Sequence, residues 1–458
     1  MHHFLLGKMK HTIYSTLFIA LFSVSPLFAQ RTITLQDALN YALENSEVMK
    51  QARLDVENGK AKVSESMASA MPQINLNSSI TGNPIVQQFV LPKAMMGGSP
   101  DEFIAIRAGQ NWSAMTQVTL SQQIYNQQVF AGLKAAKGSA SFYELSAQLS
   151  EENVLQQVAT NYYQLVVTRA KMGVLDANIE RVTQLEEILT SQLENGLVKK
   201  IDLDRVKVNK TNLIAQKIEL ENAVTQMANL LKYYMGMPIS EQITVPETAL
   251  SEMENFGGAI SKDQPLNTEN LLSMKVMNKQ AELLSLQTKV HKAGYIPSLY
   301  LSGHYTYNSQ SNKFNMYSKK ALSYDMSSIS LNLTVPLFDG LARHSRVKSS
   351  EIQLKQLREE MTKTTNALTM AYENAKIQID NSIRTIEVQE ANKRMAKEVF
   401  DVTQSNYQLG LASLTDLINA ETELRSAENS YTEALLQYKV AELELIKSKG
   451  EISSLLNK

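Results

Sequence analysis

The chain has 458 residues, of which 20% are charged, and its 45 basic and 46 acidic residues nearly cancel. A near-neutral chain has no basic field to hold a polyanion, so the composition argues against nucleic acid as a partner. Cysteine is absent, which excludes disulfides, thiolate metal sites and a cysteine nucleophile and suits an oxidising envelope compartment.

The first 29 residues have the pattern of a secretory signal peptide. Lys8 and Lys10 give this segment a basic start, an apolar run covers residues 14–28, and Ala29 stands at the expected cleavage site. The run is too short for a transmembrane helix to be the favoured interpretation, and no other stretch approaches about eighteen apolar residues. A mature chain that crosses a membrane would therefore cross it with strands.

Most of the mature chain has the periodicity of long helices. Near the end of the chain, apolar residues recur in alternating steps of three and four, which is the spacing of a heptad seam. The seam positions are Leu417, Ala420, Leu424, Ala427, Tyr431, Ala434, Tyr438, Ala441 and Leu445. Residues 341–409 contain no Pro or Gly and are predicted to form one helix. A rod of about 100 Å needs neighbouring helices to bury its apolar stripe.

The chain is a tandem repeat. Three pairs of identical residues are each 214 positions apart: Gly196 and Gly410, Asp202 and Asp416, Gly236 and Gly450. Each copy is predicted to contain a helix, two strands and two long helices. The mature chain accordingly divides into a first repeat (30–240), an inter-repeat linker (241–267) and a second repeat (268–458).

Four predicted strands interrupt the helices, two in each copy. Each strand alternates apolar with small polar residues, so that it has one apolar and one polar face. The apolar positions are Ile74, Leu76, Ile80, Val118, Leu120, Leu299, Leu301, Tyr305, Tyr307, Ile329, Leu331, Leu333 and Val335. Two long polar stretches, residues 82–114 and 308–325, are predicted to be the loops that join the strands of each pair.

Alternation alone is also compatible with half-buried strands of a soluble sheet. A strand length of about ten residues, and polar faces without Lys or Glu, favour membrane strands. Four strands are too few to close a barrel, and lipid does not tolerate open sheet edges. Membrane strands would therefore require several chains to share one barrel.

Together these segments resemble the outer-membrane efflux protein family, the TolC-like outer-membrane factors. The most specific pieces are Val335-Pro336-Leu337-Phe338-Asp339-Gly340, where strand passes into helix, and the turn Tyr407-Gln408-Leu409-Gly410-Leu411. The resemblance implies a mostly α fold with transmembrane β. Three chains would form a homotrimer that shares a twelve-stranded antiparallel β-barrel, four strands from each chain, on a long coiled-coil helical tube.

The same resemblance implies a location and partners. The barrel would lie in the outer membrane, and the tube would extend into the periplasm as a passive duct for efflux or type I secretion. The implied partners are the chain itself, a periplasmic adaptor (membrane fusion) protein, an inner-membrane transporter and outer-membrane lipid.

By the resemblance, the turn residues Gly196, Leu197, Gly410 and Leu411 would form the tip that docks the adaptor. A helix C-cap is the simpler function of both glycines, and it is compatible with docking.

Three residues match the family's periplasmic gate by position. Asp202 and Asp416 are the candidate gate carboxylates, and Tyr407 is the candidate gate tyrosine. A plainer interpretation is that both acids complement the helix dipole in the first turn of a helix.

The chain departs from the best-known members of the family at this gate. Ala412 stands where they have arginine, and Asn419 replaces a second aspartate. A latch that depends on that arginine is therefore not expected here. Lys199 and Lys200 in the other copy are the candidate substitute cations, although exposed lysines at a helix end are more often only solvated.

The sequence contains no phosphate-binding loop, nucleophile elbow or His-Glu-x-x-His motif, so no catalytic, metal or cofactor site is predicted. Two alternatives to a duct remain. A periplasmic coiled-coil adaptor typically has one helical hairpin, not two copies with paired strands. A structural protein of the envelope leaves the four alternating strands unexplained.

Overall fold

The computed structural model of the chain describes residues 31–99, 101–254 and 265–457. The predicted signal peptide and part of the predicted inter-repeat linker lie outside these residues. No helix within the described ranges has the length and apolar content needed to cross a membrane.

The described helices are α1 (Leu35–Asn45), α2 (Glu47–Ala68), α3 (Gln127–Glu194), α4 (Lys200–Met235), α5 (Ala249–Met253), α6 (Leu272–Ala293), α7 (Ala342–Gln408) and α8 (Leu414–Ser448). The strands are β1 (Arg31–Thr32), β2 (Gln73–Gly82), β3 (Gln88–Pro92), β4 (Phe103–Arg107), β5 (Trp112–Tyr125), β6 (Ile243–Thr244), β7 (Ser298–Ser311) and β8 (Leu322–Thr334). The predicted order of helix, strands and two long helices is present in both copies, and copy one has β3 and β4 in addition to its two predicted strands. The first helix of copy one is divided at Ser46, whose Oγ accepts a hydrogen bond from the backbone N–H of Met49 at 3.3 Å.

The chain divides into two compact units, and both take residues from each repeat. The helical unit comprises the described residues of Met1–Ala52, Gln148–Leu271 and Asn366–Lys458. The sheet unit comprises those of Arg53–Ala147 and Leu272–Thr365.

The sheet unit is built on one antiparallel sheet with the strand order β2-β5-β7-β8. Its register places the apolar positions of neighbouring strands opposite one another, as in the pairs Leu76 with Val118 and Leu301 with Leu331. Because directly paired residues share a face, one apolar and one polar face continue across all four strands. The predicted facing of the strands is confirmed.

The two faces differ in their contacts. On the apolar face, Ile74, Ile329 and Leu333 are 71%, 84% and 66% exposed in the single chain. On the polar face, Gln117 donates to the Thr306 hydroxyl at 3.1 Å, and a similar bond of 2.9 Å joins Asn332 to the Ser302 hydroxyl. The apolar face therefore lacks cover within the chain, whereas the polar face is partly satisfied by its own side chains.

The predicted loops between the strands are wrong in extent. β7 and β8 continue to Ser311 and from Leu322, so that only residues 312–321 separate them. Residues 82–114 contain the antiparallel pair β3–β4, joined through the short 3-10 helix Lys93–Met96. The β-branched and aromatic residues in this stretch favour strands over the loop that its polar residues indicated.

The helical unit confirms the predicted seam. All nine seam positions from Leu417 to Leu445 are at most 7% exposed in the single chain. The predicted helix at 341–409 is α7, Ala342–Gln408. In α4 the equivalent seam is interrupted by Lys210 and Lys217, which pair with acids on α3.

Candidate gate at the helix turns

The α3–α4 and α7–α8 turns share one backbone motif. Gly196 and Gly410 have positive φ values of 72° and 73°. In the first turn the Leu197 N–H donates to the Gln192 carbonyl at 2.9 Å, and in the second the Leu411 N–H donates to the Asn406 carbonyl at 2.8 Å. These bonds close a Schellman cap, in which glycine is favoured because it adopts positive φ without steric cost.

The turns leave apolar side chains in solvent. Leu197 is 73% exposed and Leu411 is 76% exposed in the single chain. A Cβ built on Gly196 or Gly410 would meet no atom within 4 Å. The space beside both glycines is therefore open in the described chain, and each turn displays a leucine.

The two helices that follow the turns begin differently. Ser413 caps α8: its Oγ accepts from the Asp416 N–H at 3.2 Å, and the Asp416 carboxylate accepts from the Ser413 hydroxyl at 2.6 Å and the Ser413 N–H at 3.0 Å. These bonds hold the pKa of Asp416 below its usual value. The dipole-complementing interpretation of Asp416 therefore holds, in the stronger form of a capping box.

Asp202 occupies the equivalent position of α4 but has no such cap. The N-cap residue is Lys199, whose side chain makes no capping bond. The Asp202 carboxylate, whose side chain is 30% exposed, lies 3.8 Å from the Arg205 guanidinium. The Asp202 carboxylate oxygens are therefore not part of a capping box, whereas those of Asp416 are.

Tyr407 joins the two hairpins. Its ring packs against the α3–α4 core around Leu189 and Leu203 and against the α7–α8 core around Phe400 and Leu417. Burial raises the pKa of its hydroxyl, and the negative charge of Asp202 raises it further. The structure thus brings Tyr407 and Asp202 together, while the Asp416 carboxylate is bound in its own helix cap.

Sequence reasoning missed a buried ion pair beside this tyrosine. The Glu421 side chain is 9% exposed, and its Oε1 lies 3.8 Å from Nε of Arg181 without a hydrogen bond. Burial raises the pKa of Glu421, and the charges of Arg181 and Arg425 oppose that rise. Arg181 also lies over the Phe400 ring at 5.6 Å. The pair links α3 of the first repeat to α8 of the second.

A groove of about 510 Å³ runs beside this pair. Its walls include Gln184, Ile188, Gln404, Tyr407 and Ala412. Ala412 thus lies where a longer cationic side chain would reach into the groove. Among the described residues, Lys199 and Lys200 form no ion pair with a carboxylate of this chain, and their role as substitute cations stays a prediction. Nor do any three His, Asp or Glu side chains of the described residues form a metal-binding group.

Residues 38–237 and 268–451 match the family described as outer membrane efflux protein. The chain belongs to this family. The predicted family, outer-membrane localisation and role in efflux are thereby confirmed, as is the mostly helical fold with a β domain. The homotrimer and its shared barrel stay predictions.

Similar proteins cover nearly the whole chain. The outer membrane protein TolC of Vibrio cholerae is 22% identical over 426 residues, which is 92% of this chain and 91% of the relative. The proteases secretion protein PrtF of Dickeya chrysanthemi is 19% identical over 92% of this chain and 88% of its own length. Among solved structures, the Campylobacter jejuni CmeC outer membrane channel aligns with a TM-score of 0.69 at 15% identity, covering 91% of this chain and 85% of that one.

Proposed function

We propose that three copies of this chain form a passive outer-membrane duct for efflux or type I secretion, with no catalytic step. The observation that supports it best is the four-stranded sheet. It has one exposed apolar face, one polar face and unpaired edges at β2 and β8. Sharing the edges among chains pairs the backbone groups that lipid would leave unsatisfied. The polar faces would then line the lumen.

The facing of β8 gives a direct test. Leu331 is on the apolar face and 64% exposed in the single chain, whereas the neighbouring Asn332 is on the polar face. Leu331→Arg should weaken membrane insertion by roughly 2–4 kcal/mol per chain near the midplane, and Asn332→Arg should be tolerated. Native mass spectrometry in detergent should show a trimer of the unaltered protein. Equal effects of both arginines, or a stable monomer in detergent, would refute the proposal.

The tip is proposed to dock a periplasmic adaptor that is joined to an inner-membrane transporter. Leu197 and Leu411 support this assignment, because each turn holds an exposed leucine on a backbone fixed by a Schellman cap. Leu411→Ser should abolish export from cells and leave the trimer in the outer membrane. Ile218→Ser, at a position on α4 that is 56% exposed, is the matched control. If both variants reduce export equally, the turn leucines have no special part in docking.

The gate is proposed to lie just beyond the tip, where Asp202 and Asp416 from three chains would ring the pore. Crowded carboxylates attract cations. Tyr407, packed between both hairpins and beside Asp202, would help to hold the closed state, since Ala412 supplies no cation.

Bilayer recordings would test this ring. Asp202→Asn should lower cation selectivity and weaken block by divalent cations, because the Asp202 carboxylate is not part of a helix cap. Asp416→Asn should change selectivity less. If Asp202→Asn conducts like the unaltered channel, the constriction lies elsewhere.

A further inference from the structure

Strands β3 and β4 form a two-stranded ribbon that prolongs the β2–β5 pair beyond the sheet. The β2–β5 ladder ends at Gly82 and Trp112. It is followed by bonds from the Asn83 N–H to the Asn111 carbonyl at 2.7 Å and from the Ala108 N–H to the Gln87 carbonyl at 2.8 Å. β7 ends level with Trp112. The ribbon therefore continues past the other strands, at the end of the sheet opposite its connections to the long helices.

Both faces of this ribbon carry apolar side chains. Register places Phe89, Leu91, Ile104 and Ile106 on one face, and Val90, Pro92, Phe103 and Ala105 on the other, which also holds the polar pair Gln88 and Arg107 at the end nearest the sheet. Phe89, Val90 and Phe103 are 56%, 64% and 63% exposed in the single chain. A lone two-stranded ribbon is marginally stable in water, and an exposed apolar surface of this kind marks a contact.

We propose that the ribbon packs against the ribbons of two other copies of this chain, one on each face. The inference rests on the proposed trimer. The ribbon prolongs β2, which is an edge strand and so lies at the boundary with a neighbouring copy. In a closed ring of three, each copy meets one neighbour with one surface and the other neighbour with a different surface. Two apolar faces on one ribbon meet that requirement.

The charges of the ribbon argue against a lipid headgroup as the occupant. Lys93 pairs with Glu102 at 2.6 Å, and Arg107 donates to the Asn111 side chain at 2.7 Å. These are the ribbon's two cations, and both are engaged within the chain. A surface that contacts anionic headgroups presents cations available to them.

Cysteine pairs give a clean test, because the chain has no cysteine of its own. Phe89→Cys/Ala105→Cys places one thiol on each face of the ribbon. Oxidation, or a short bis-maleimide, should link three copies covalently on a non-reducing denaturing gel. Each single variant should stop short of a linked trimer, because opposite faces meet. Lys319→Cys/Lys320→Cys, exposed in the β7–β8 loop, is the control and should not link.

The outcomes separate this inference from the proposed duct. If the detergent trimer is intact but the ribbon cysteines do not link, the ribbon inference is wrong and the duct stands. If no trimer forms, the proposed duct fails first. A dye on Phe89→Cys that brominated lipids quench in proteoliposomes, or a link only to another protein, would also overturn the ribbon ring.

Discussion

The two long hairpins descend from one repeat, yet their interiors differ. In the α3–α4 hairpin, Lys210 pairs with Glu186 at 2.8 Å. The positions 214 residues later hold Leu424 and Phe400, which are 3% and 6% exposed and pack together. An ion pair in one copy thus stands where the other copy has an apolar contact.

The two hairpins also differ where their second helices, α4 and α8, begin. α8 begins with the Ser413–Asp416 capping box, whereas Lys199, the N-cap residue of α4, provides no side-chain cap. The start of α8 is therefore satisfied by its own residues. The first hairpin keeps polar groups in its seam and leaves the Asp202 carboxylate beside Tyr407. The two copies of the repeat have thus diverged at a few seam and cap positions.

The largest expected effect comes from exchanging seam residues between the copies. Leu424→Lys would bury an ammonium group opposite Phe400 with no carboxylate in the equivalent place, and should cost about 3–5 kcal/mol. The reciprocal Lys210→Leu should be nearly neutral, because Glu186 keeps some solvent access. Thermal unfolding of the detergent-solubilised protein measures both. Similar losses of stability for the two variants would mean that the two seams do not differ in the side chains they tolerate.

A second test concerns the glycines that end α4 and α8. A Cβ on Gly236 would lie 2.4 Å from the Asn45 carbonyl oxygen, whereas one on Gly450 meets only the end of the Leu271 side chain at 3.0 Å. Both glycines have positive φ. Gly236→Ala should therefore cost roughly 2–4 kcal/mol, from backbone strain plus overpacking, and Gly450→Ala about 1–2 kcal/mol. Unfolding in denaturant measures the difference. Equal costs would show that φ alone sets the penalty.

The Arg181–Glu421 pair predicts a pH dependence. Burial raises the pKa of Glu421 above 4.5, so the folded state binds its proton more tightly than the unfolded state. Stability should rise as the pH falls through the raised pKa towards 4.5. Glu421→Gln should remove that rise and stabilise the protein at pH 7. Asp416 has the opposite sign, since its lowered pKa means that its contribution is lost in acid, below 3.8.

Arg181→Gln is the matched partner of that variant. It leaves the buried carboxylate without its cation, and should cost roughly 2–3 kcal/mol at pH 7 and less at pH 4.5. The free energy of unfolding of both variants, measured as a function of pH, tests this prediction. If Glu421→Gln destabilises the protein at pH 7 as much as Arg181→Gln does, the pair is net stabilising and the pKa argument is wrong.

The smallest effect should come from the helix caps. Ser413→Ala removes the capping box and should cost about 1 kcal/mol. Lys199→Ser gives α4 the residue that α8 has, and should stabilise that helix by a similar amount. The new serine should also draw the Asp202 carboxylate away from Tyr407, which lowers the pKa of the tyrosine hydroxyl. Ultraviolet titration of tyrosine detects that shift. An unchanged tyrosine titration would mean that the new serine cap does not move the Asp202 carboxylate away from Tyr407.

The elements that the sequence predicted well depend on local periodicity. The seam from Leu417 to Leu445 and the facing of the four strands follow from spacing alone, because burial repeats with the period of the helix or strand. The capping box was also readable as Ser413-x-x-Asp416, although the sequence predicted for Asp416 a place in the gate or beside the helix dipole and not a cap. Features that depend on residues close together in the sequence can therefore be predicted from the sequence alone.

The missed features depend on long-range contacts or on mixed composition. Arg181 and Glu421 lie in different repeats, and no spacing in the sequence indicates that their side chains are in contact. The β3–β4 ribbon was hidden because Gly and polar residues surround its two short strands. Its signal was present in Phe89-Val90-Leu91 and Phe103-Ile104-Ala105-Ile106, two runs of strand-forming residues on either side of a Gly-containing turn.

The open edges of the four-stranded sheet have a genetic consequence. β2 and β8 are the edge strands of the described sheet, and each carries a row of backbone groups that the described residues of this chain leave unpaired. In the proposed trimer, one defective subunit would therefore leave an edge of each of its two neighbours unpaired. If defective and normal chains are made in equal amounts and mix freely, only about one trimer in eight is wholly normal. A variant that folds but cannot complete the barrel should behave as a dominant allele, whereas a variant that never reaches the membrane should be recessive.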